Sequence, residues 1–301
     1  MPELSGQVVI VTGASAGIGA EIARRLGRGG ARVVLNARRQ DRLDALKNEI
    51  ESAGGTALAV AGDVTNSEDR QRLVDQTVKA FGRIDGLVNN AGFGQRGPLE
   101  IVPVEAIRKN FETNVFSLIA LSQLVMPVMR GQSSGTIVNI SSVAGRIARP
   151  FSSIYDSTKH ALEALSDGMR GELAPFGVRV VIIEPGFIIT EFLDVATATL
   201  KELPERENPY SAFMKESRES VERFRRFAGT PDDIARLVER ALTASRPKIR
   251  YAAPAHARLF LALKWLIPDG IADRILNKQM GLTPDKLRSQ SSLHQQSVGR
   301  T

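Results

Sequence analysis

The chain has 301 residues, of which 43% are hydrophobic and 24% charged, as in a folded globular protein with a sizeable core. It has no cysteine, which excludes disulfides and thiolate metal sites, and its three histidines are scattered, so we expect no metal centre. The net charge of +7 is spread along the chain without a stripe of stacking aromatic residues, which argues against a nucleic-acid partner.

Six near-continuous apolar runs predict strands that are covered on both faces. They are Gln7–Thr12, Arg32–Ala37, Thr56–Gly62, Ile84–Asn89, Gly135–Ser141 and Val178–Glu184. Helical patterns separate them, at Ile18–Arg28, Arg39–Ser52, Ser67–Phe81, within Val104–Met129 and at Tyr155–Ala174. Strands that alternate with helices predict an α/β, doubly wound fold with a parallel sheet and helices on both faces.

The pattern changes after Pro185-Gly186. Phe187–Phe227 is helical in propensity but interrupted by prolines, and we expect it to form a mobile substrate lid. Thr230–Asp233 has the residues of a helix start and leads into Ile234–Ala244, after which Lys248–Ala252 predicts a seventh strand. The predicted organisation is one catalytic domain over 1–252 with a lid at about 187–229, a helical extension over 253–288 and a disordered tail over 289–301.

A glycine-rich segment joins the first predicted strand to the first helix. Gly13, Gly17 and Gly19 have the spacing G-x-x-x-G-x-G. Gly13 permits a tight turn, Gly17 lets the backbone approach a pyrophosphate, and Gly19 lets the helix lie close to the sheet. The free N–H groups of the helix N-terminus favour phosphate there, so this segment predicts a dinucleotide site.

A second segment predicts proton transfer. Tyr155 and Lys159 are four residues apart at the start of a predicted helix and share one helix face. A tyrosine with a pKa near 10 exchanges protons poorly at neutral pH, and a nearby ammonium lowers that pKa. Ser142 lies thirteen residues before Tyr155, at the end of a strand, and Ser141 competes with it as the partner hydroxyl.

Together these motifs resemble the short-chain dehydrogenase/reductase family, of an NADP-preferring type with an extended C-terminal region. The resemblance covers roughly residues 6 to 245. Its motifs are Thr12–Gly19, Asp63-Val64, Asn89-Asn90-Ala91-Gly92, Asn114, Ser142, Tyr155-Asp156-Ser157-Thr158-Lys159 and Pro185–Thr190. The thirteen-residue family spacing favours Ser142 over Ser141.

The resemblance implies a Rossmann fold and a catalytic group. Tyr155 is then the general acid/base, Ser142 holds the substrate oxygen, Lys159 tunes Tyr155 and binds the nicotinamide ribose, and Asn114 holds a water. Asp63 is expected to accept from the adenine amino group. The full set of implied cofactor contacts outside the second strand is Gly13, Ser15, Ala16, Gly17, Ile18, Gly19, Asp63, Val64, Asn90, Ala91, Gly92, Tyr155, Lys159, Pro185, Gly186, Ile188 and Thr190.

The end of the second strand distinguishes the two nicotinamide cofactors. NAD enzymes place an acid there to bind the ribose hydroxyls, whereas this chain has Ala37 followed by Arg38 and Arg39. Arginine pairs with a 2′-phosphate, and Ser15 adds a hydroxyl. We therefore predict NADP(H) rather than NAD(H), with Arg38 as the main contact.

Apolar residues in the loops that follow the strands predict a hydrophobic ketone or aldehyde as substrate, with an alcohol as product. Together with Ser142, the candidate substrate contacts are Phe93, Phe151, Phe187 and Phe192.

The segment 256–267 is apolar on nearly every side and has three interpretations: a helix that closes the pocket, a dimer contact or a membrane-surface anchor. The N-terminus lacks a signal-peptide pattern, so we expect a cytoplasmic protein that could lie at a membrane. The resemblance implies a homodimer or homotetramer. The alternative functions are a catalytically silent NADP-binding sensor or scaffold, a peripheral membrane-associated dehydrogenase of lipid or steroid type, and a sugar-nucleotide epimerase.

Overall fold

Seven parallel strands form one sheet at the centre of the protein. The computed structural model describes residues 4–200, 203, 210 and 228–283. The strands, in chain order, are β1 (Val8–Thr12), β2 (Arg32–Ala37), β3 (Thr56–Ala61), β4 (Gly86–Asn89), β5 (Gly135–Ile140), β6 (Val178–Pro185) and β7 (Arg250–Ala253). Their order in the sheet is β3-β2-β1-β4-β5-β6-β7, and every pair is parallel. The predicted doubly wound α/β fold is confirmed.

Helices connect consecutive strands and cover both faces of the sheet. They are α1 (Gly17–Arg28), α2 (Gln40–Ser52), α3 (Ser67–Phe81), α4 (Val104–Phe111), α5 (Ser117–Gly131), α6 (Ser153–Leu173), α7 (Glu191–Ala198), α8 (Pro231–Thr243), α9 (Ala255–Leu266) and α10 (Asp269–Gln279). Apart from the segment between β4 and β5 and the lid, the predicted elements agree with these to within one or two residues. The apolar periodicity of the sequence therefore predicted most of the strands and helices correctly.

The core has two halves, one on each face of the sheet. Alternate residues of β1 point to opposite halves, with Val9 and Val11 in one and Val8 and Ile10 in the other. The first half packs against α1, α2 and α8, and the second against α3, α5 and α6. A strand buried on both faces needs apolar residues at every position, which is why β1 reads as a continuous apolar run.

The predicted long helix between β4 and β5 is interrupted. Glu112–Phe116 form a π-helical turn between α4 and α5. The combined segment Val104–Gly131 is long and apolar enough to cross a membrane, with a mean hydropathy of 1.3. In the structure α5 has the role of a core helix, because its Leu121, Val125 and Met129 are buried against the sheet.

Beyond β6, the described residues include parts of the predicted lid and extension. α7 begins at Glu191, capped by Thr190, and the predicted start of α8 is confirmed by a capping box between Thr230 and Asp233. α9 and α10 form the helical extension. Residues 201–202, 204–209 and 211–227 of the expected lid, and the expected tail at 289–301, lie outside the described residues.

Candidate active site

The loop between β1 and α1 requires glycine at each motif position. Gly13 and Gly17 have φ angles of +66° and +56°, in the left-handed region that glycine adopts without strain. A Cβ on Gly13 would lie 2.8 Å from Nδ2 of Asn90, and a Cβ on Gly19 would lie 2.3 Å from the carbonyl oxygen of Gly13. Gly19 thus allows the helix to approach the loop itself, whereas the sequence predicted an approach to the sheet.

The N-terminus of α1 faces the cleft without a side-chain cap. Its N-cap residue, Ala16, makes no side-chain hydrogen bond to the first turn, and that turn contains no acidic residue. The first N–H groups of the helix are therefore available to an anionic ligand, which is the arrangement that binds phosphate.

Thr12 and Asn90 hold the loops after β1 and β4 together. The Thr12 hydroxyl accepts hydrogen bonds from the backbone N–H groups of Asn90 (3.0 Å) and Ala91 (3.1 Å). Nδ2 of Asn90 donates to the carbonyl of Thr12 at 2.9 Å. The Asn90 side chain thus supports the cofactor loop from behind. Asn89 instead ties two strands together through Asn139, at 2.9 Å.

A cleft of about 580 Å³ runs along the carboxyl ends of the strands. Its walls include most of the residues implied as cofactor contacts: Gly13, Ser15, Ala16, Gly17, Ile18, Arg38, Arg39, Asp63, Val64, Asn90, Ala91, Gly92 and Thr190. Five of the implied contacts are buried and do not form its walls: Gly19, Tyr155, Lys159, Pro185 and Ile188. Gly186 packs against Ala257. Glycines whose Cβ atoms would collide, a bare helix N-terminus and arginines at one end fit a phosphorylated dinucleotide.

Asp63 is fixed at the end of β3. Its Oδ1 accepts from the N–H of Thr65 at 2.9 Å and from the Thr65 hydroxyl at 2.8 Å. Its own N–H donates to Asp69 at 2.7 Å. The carboxylate is held at the cleft wall.

Tyr155, Ser142 and Lys159 meet at the carboxyl ends of β5 and β6. Ser142 follows β5, donates to the carbonyl of Pro185 (3.3 Å) and lowers the pKa of the nearby Tyr155 phenol. Lys159 donates to the carbonyl of Ile140 at 2.8 Å, and its Nζ lies 5.8 Å from the centroid of the Tyr155 ring. The Ser141 hydroxyl is buried without a partner in the described part of the chain. The geometry therefore favours Ser142 over Ser141 as the partner of Tyr155.

Burial shifts the two proton-carrying groups in opposite directions. It raises the pKa of Tyr155 to about 12 and lowers the pKa of Lys159 to about 8. The cations that lower the pKa of Tyr155 most are Arg149 and then Arg96, rather than Lys159 as expected. Tyr155 thus holds its proton at neutral pH, as a proton donor must.

Arg149 and Asp156 form a partly buried ion pair beside Tyr155. Asp156 is 0% exposed, and its carboxylate accepts from Nη2 (2.6 Å), Nε (3.1 Å) and the backbone N–H (2.8 Å) of Arg149. This pair fixes the loop before α6 to the helix turn that carries the tyrosine. A bidentate pair of this kind is geometrically specific.

Asn114 lies in the π-helical turn, and protein groups occupy its side chain. Its Oδ1 accepts from the N–H of Phe93 at 3.0 Å, and its Nδ2 donates to the carbonyl of Phe93 (2.9 Å) and to the hydroxyl of Thr158 (3.0 Å). The side chain therefore links the loop after β4 to α6 and leaves no amide hydrogen for the expected water.

Arg39, rather than Arg38, is engaged at the adenosine end of the cleft. Its Nη2 and Nε donate to the Ser15 hydroxyl at 3.0 and 3.3 Å. Its Nη1 lies 3.5 Å from the carboxylate of Glu191, which also accepts from Arg42 at 2.8 Å. Arg38 lines the same end of the cleft and is exposed.

The predicted substrate contacts separate into two groups. Phe192 lines the cleft and packs on Tyr155, and Phe93 also lines the cleft. Phe151 is buried at a φ of +61° and makes an edge contact with Tyr210, with ring centroids 6.2 Å apart. Phe187 does not form part of the cleft wall.

Comparison with known proteins places this geometry in a family. The family described as short chain dehydrogenase matches residues 7–201. The chain belongs to the short-chain dehydrogenase family.

One relative and two solved structures show how similar this short-chain dehydrogenase is to other proteins. An NADPH-dependent 3-dehydrocapnine reductase of Ornithobacterium rhinotracheale is 32% identical over 277 residues, which are 90% of this chain and 96% of the relative. A metagenomic short-chain oxidoreductase in complex with NADP is 33% identical over 83% of this chain and 96% of its own, with a TM-score of 0.66. A short-chain dehydrogenase/reductase from Burkholderia phymatum in complex with NAD is 27% identical over 87% and 94%, with a TM-score of 0.77.

Family membership confirms the resemblance drawn from the motifs. The protein is a short-chain dehydrogenase with a Rossmann-like fold, an oxidoreductase that acts on CH–OH or C=O groups with a nicotinamide cofactor.

The motifs gave no indication of Arg96, Arg149, Arg42 or Glu191. These residues come from loops and helix starts without periodic spacing. Only the folded chain brings Glu191 to the cleft wall, Arg42 to Glu191, and Arg96 and Arg149 near Tyr155.

Proposed function

We propose that this protein is an NADP(H)-dependent oxidoreductase that interconverts a hydrophobic ketone or aldehyde and the corresponding alcohol. Tyr155 is the general acid/base. The observation that supports the proposal is the convergence of Tyr155, Ser142 and Lys159 next to Phe192, which packs on Tyr155 and forms part of the wall of the cleft that contains the glycine loop.

The proposed cofactor is held by groups along the cleft. The glycine loop and the N-terminus of α1 bind its pyrophosphate, Arg38, Arg39 and Ser15 bind the 2′-phosphate, and Asp63 faces the adenine. Once bound, the nicotinamide supplies the hydride in the reducing direction. The NADP complex and the NADPH-dependent relative support this choice of cofactor, and the NAD complex is the reason to test NADH beside it.

The chain's own residues provide the proton. Ser142 donates a hydrogen bond that orients the substrate oxygen, and Tyr155 donates its proton to that oxygen as negative charge develops there. A pKa near 12 keeps Tyr155 protonated, which suits reduction. Lys159, with a pKa near 8, is positioned to return a proton to the tyrosine. In the oxidising direction Tyr155 accepts the proton instead.

A set of carbonyl compounds tests the proposal. Absorbance of NADPH and of NADH is followed with aliphatic, steroid and aromatic ketones and aldehydes, using the wild-type protein and Tyr155→Phe. We expect consumption of NADPH by wild type, and a turnover about 100- to 10,000-fold lower in Tyr155→Phe with unchanged NADPH binding. Tight NADPH binding without reduction of any compound would favour the silent sensor or scaffold. Wild-type turnover in Tyr155→Phe would exclude Tyr155 as the donor.

The proposal also covers the oligomeric state and the location of the enzyme. We propose a cytoplasmic homodimer or homotetramer, with α9 as a dimer or membrane-surface contact. Leu259, Leu263 and Leu266 of α9 are 62%, 44% and 70% exposed, which supports an outward-facing role over closure of the pocket. Sedimentation of the protein with liposomes, compared with its mass in solution, separates the two contacts.

A further inference from the structure

The backbone of Arg96 is fixed at the mouth of the reacting centre. Its N–H donates to the hydroxyl of Thr199 at 3.0 Å, at the end of the turn that follows α7. The next residue, Gly97, donates to the carbonyl of Phe151 at 3.0 Å. The loop after β4 is thereby clamped between the lid side and the loop before α6. These two bonds fix the backbone position of Arg96 and Gly97.

The guanidinium of Arg96 faces a charged cluster. It interacts electrostatically with Arg149, Asp156 and Tyr155. Both carboxylate oxygens of Asp156 are already occupied by Arg149. Across residues 4–200, 203, 210 and 228–283, the Arg96 side chain has no hydrogen-bond or ion-pair partner.

This cluster carries one positive charge in excess. Arg149 and Asp156 neutralise each other, and no counterion of Arg96 lies among the described residues. Burial and the neighbouring Arg149 lower the pKa of Arg96 to about 10, so the group is still charged at neutral pH. Arg96 is partly buried, and even partial removal of a cation from water without a partner is unfavourable. Its five N–H donors match the geometry of an oxyanion.

The surfaces next to Arg96 are apolar. Phe192 covers the Tyr155 ring, Phe151 lies beside Gly97, and Leu203 would contact a Cβ on Gly97 at 2.9 Å. A ligand in this place meets an apolar wall, one unpaired cation and the phenol of the proton donor.

We propose that Arg96 binds an anionic oxygen group of the substrate, so that the substrate is an amphiphilic carbonyl compound with a carboxylate, sulfonate or phosphate near its carbonyl. This inference rests on the proposed function, which it deepens by naming the substrate class. Arg96 is then a specificity-determining residue, and the apolar walls receive the rest of the molecule.

A different role for Arg96 predicts different kinetics. If its charge served only to adjust the pKa of Tyr155, its removal would change turnover and the pH profile equally for neutral and anionic substrates. If it binds an anion, its removal raises KM for the anionic compound alone.

Equilibrium binding tests the inference without catalysis. Calorimetry with octanoate and with octan-1-ol is carried out on wild type, Arg96→Leu, Arg96→Lys and the control Arg108→Leu, in the presence of NADP. Arg108 is an exposed cation on α4 outside the cleft walls, so its loss changes the net charge equally. We expect octanoate to bind wild type about ten-fold more tightly than octan-1-ol. We expect Arg96→Leu to abolish this preference, Arg96→Lys to keep part of it and Arg108→Leu to leave it intact. Equal binding of the two probes to wild type, or a preference that persists in Arg96→Leu, would overturn the inference.

Reduction of an eight-carbon keto acid and of its methyl ester separates this inference from the proposed function. With both correct, wild type prefers the acid in kcat/KM, and Arg96→Leu loses the preference while still reducing the ester. If both compounds are reduced but Arg96→Leu changes them equally, the inference is wrong and the proposed function stands. If neither compound nor any other carbonyl is reduced, the proposed function fails, and the octanoate measurement alone decides whether Arg96 binds anions.

Discussion

The ring of Phe192 lies on the ring of Tyr155, with centroids 5.5 Å apart and planes inclined by 59°. Phe192 is in the first turn of α7, so this helix of the predicted lid contacts Tyr155 directly. Replacing Phe192 by Ala removes an aromatic contact and an apolar wall. We expect KM for a hydrophobic carbonyl substrate to rise about ten-fold, and Phe192→Leu to recover much of the loss. Steady-state kinetics test this, with Phe176→Ala as the control, since Phe176 is exposed in the turn before β6. Unchanged KM in Phe192→Ala would contradict the contact.

The arginines at the adenosine end predict cofactor selectivity. Because Arg39 is the one held against Ser15, we expect Arg39→Ala to raise KM for NADPH about ten-fold or more while changing KM for NADH little. Arg38→Ala should have the same direction and a smaller size. The control is Arg28→Ala, an exposed cation at the end of α1. Equal changes for the two cofactors would refute the assignment to the 2′-phosphate.

Two helical glycines predict opposite effects of the same substitution. Gly19→Ala places a Cβ 2.3 Å from the Gly13 carbonyl, whereas Gly168→Ala in α6 meets no atom within 4 Å. We expect Gly19→Ala to lower the free energy of unfolding and to weaken NADPH binding. Gly168→Ala should raise the free energy of unfolding by about 0.5–1 kcal/mol, because alanine is the better helix former. Chemical denaturation and cofactor titration measure both. Equal stability of the two variants would contradict the close approach at Gly19.

The depressed pKa of Lys159 predicts a pH dependence of stability. Below about pH 8 the lysine is charged in both folded and unfolded chains, and its burial destabilises the fold. Between about pH 8 and its ordinary pKa, 10.5, the folded protein loses the proton while the unfolded chain keeps it, so stability rises with pH. Relative to Lys159→Met, wild type should gain about 2–3 kcal/mol in free energy of unfolding from pH 7 to pH 10. Denaturation of both proteins across this range, without cofactor, tests it. A difference independent of pH would show that the lysine is not desolvated.

The sequence predicted best those features that a local residue pattern requires for a physical reason. The strands were predictable because burial on both faces requires continuous apolar residues, and the loop at Gly13–Gly19 because a strand must precede it and a helix follow. Tyr155 and Lys159 were predictable as a pair because helical spacing puts them on one face.

The sequence analysis did not predict the electrostatic interactions between residues of different loops. Arg149 reaches Asp156 from a loop, and Arg96 reaches the same cluster from another strand's loop, with no spacing to connect them. The sequence therefore assigned the control of the Tyr155 pKa to Lys159 alone. The choice of Arg38 over Arg39 stays a prediction, and the sequence alone did not show that Arg39 is the side chain that turns toward Ser15.

The π-helical turn at Glu112–Phe116 lets one continuous helix serve two surfaces. Before it, Ala106 and Lys109 of α4 form part of the cleft wall, and after it α5 buries Leu121 and Val125 against the sheet. One surplus residue in a helix rotates everything beyond it by about 100°. Deleting one residue here to restore a regular α-helix would turn away either the α4 residues of the cleft wall or the α5 residues that face the core. The number of residues in this segment is therefore constrained even at positions where the side chains are not.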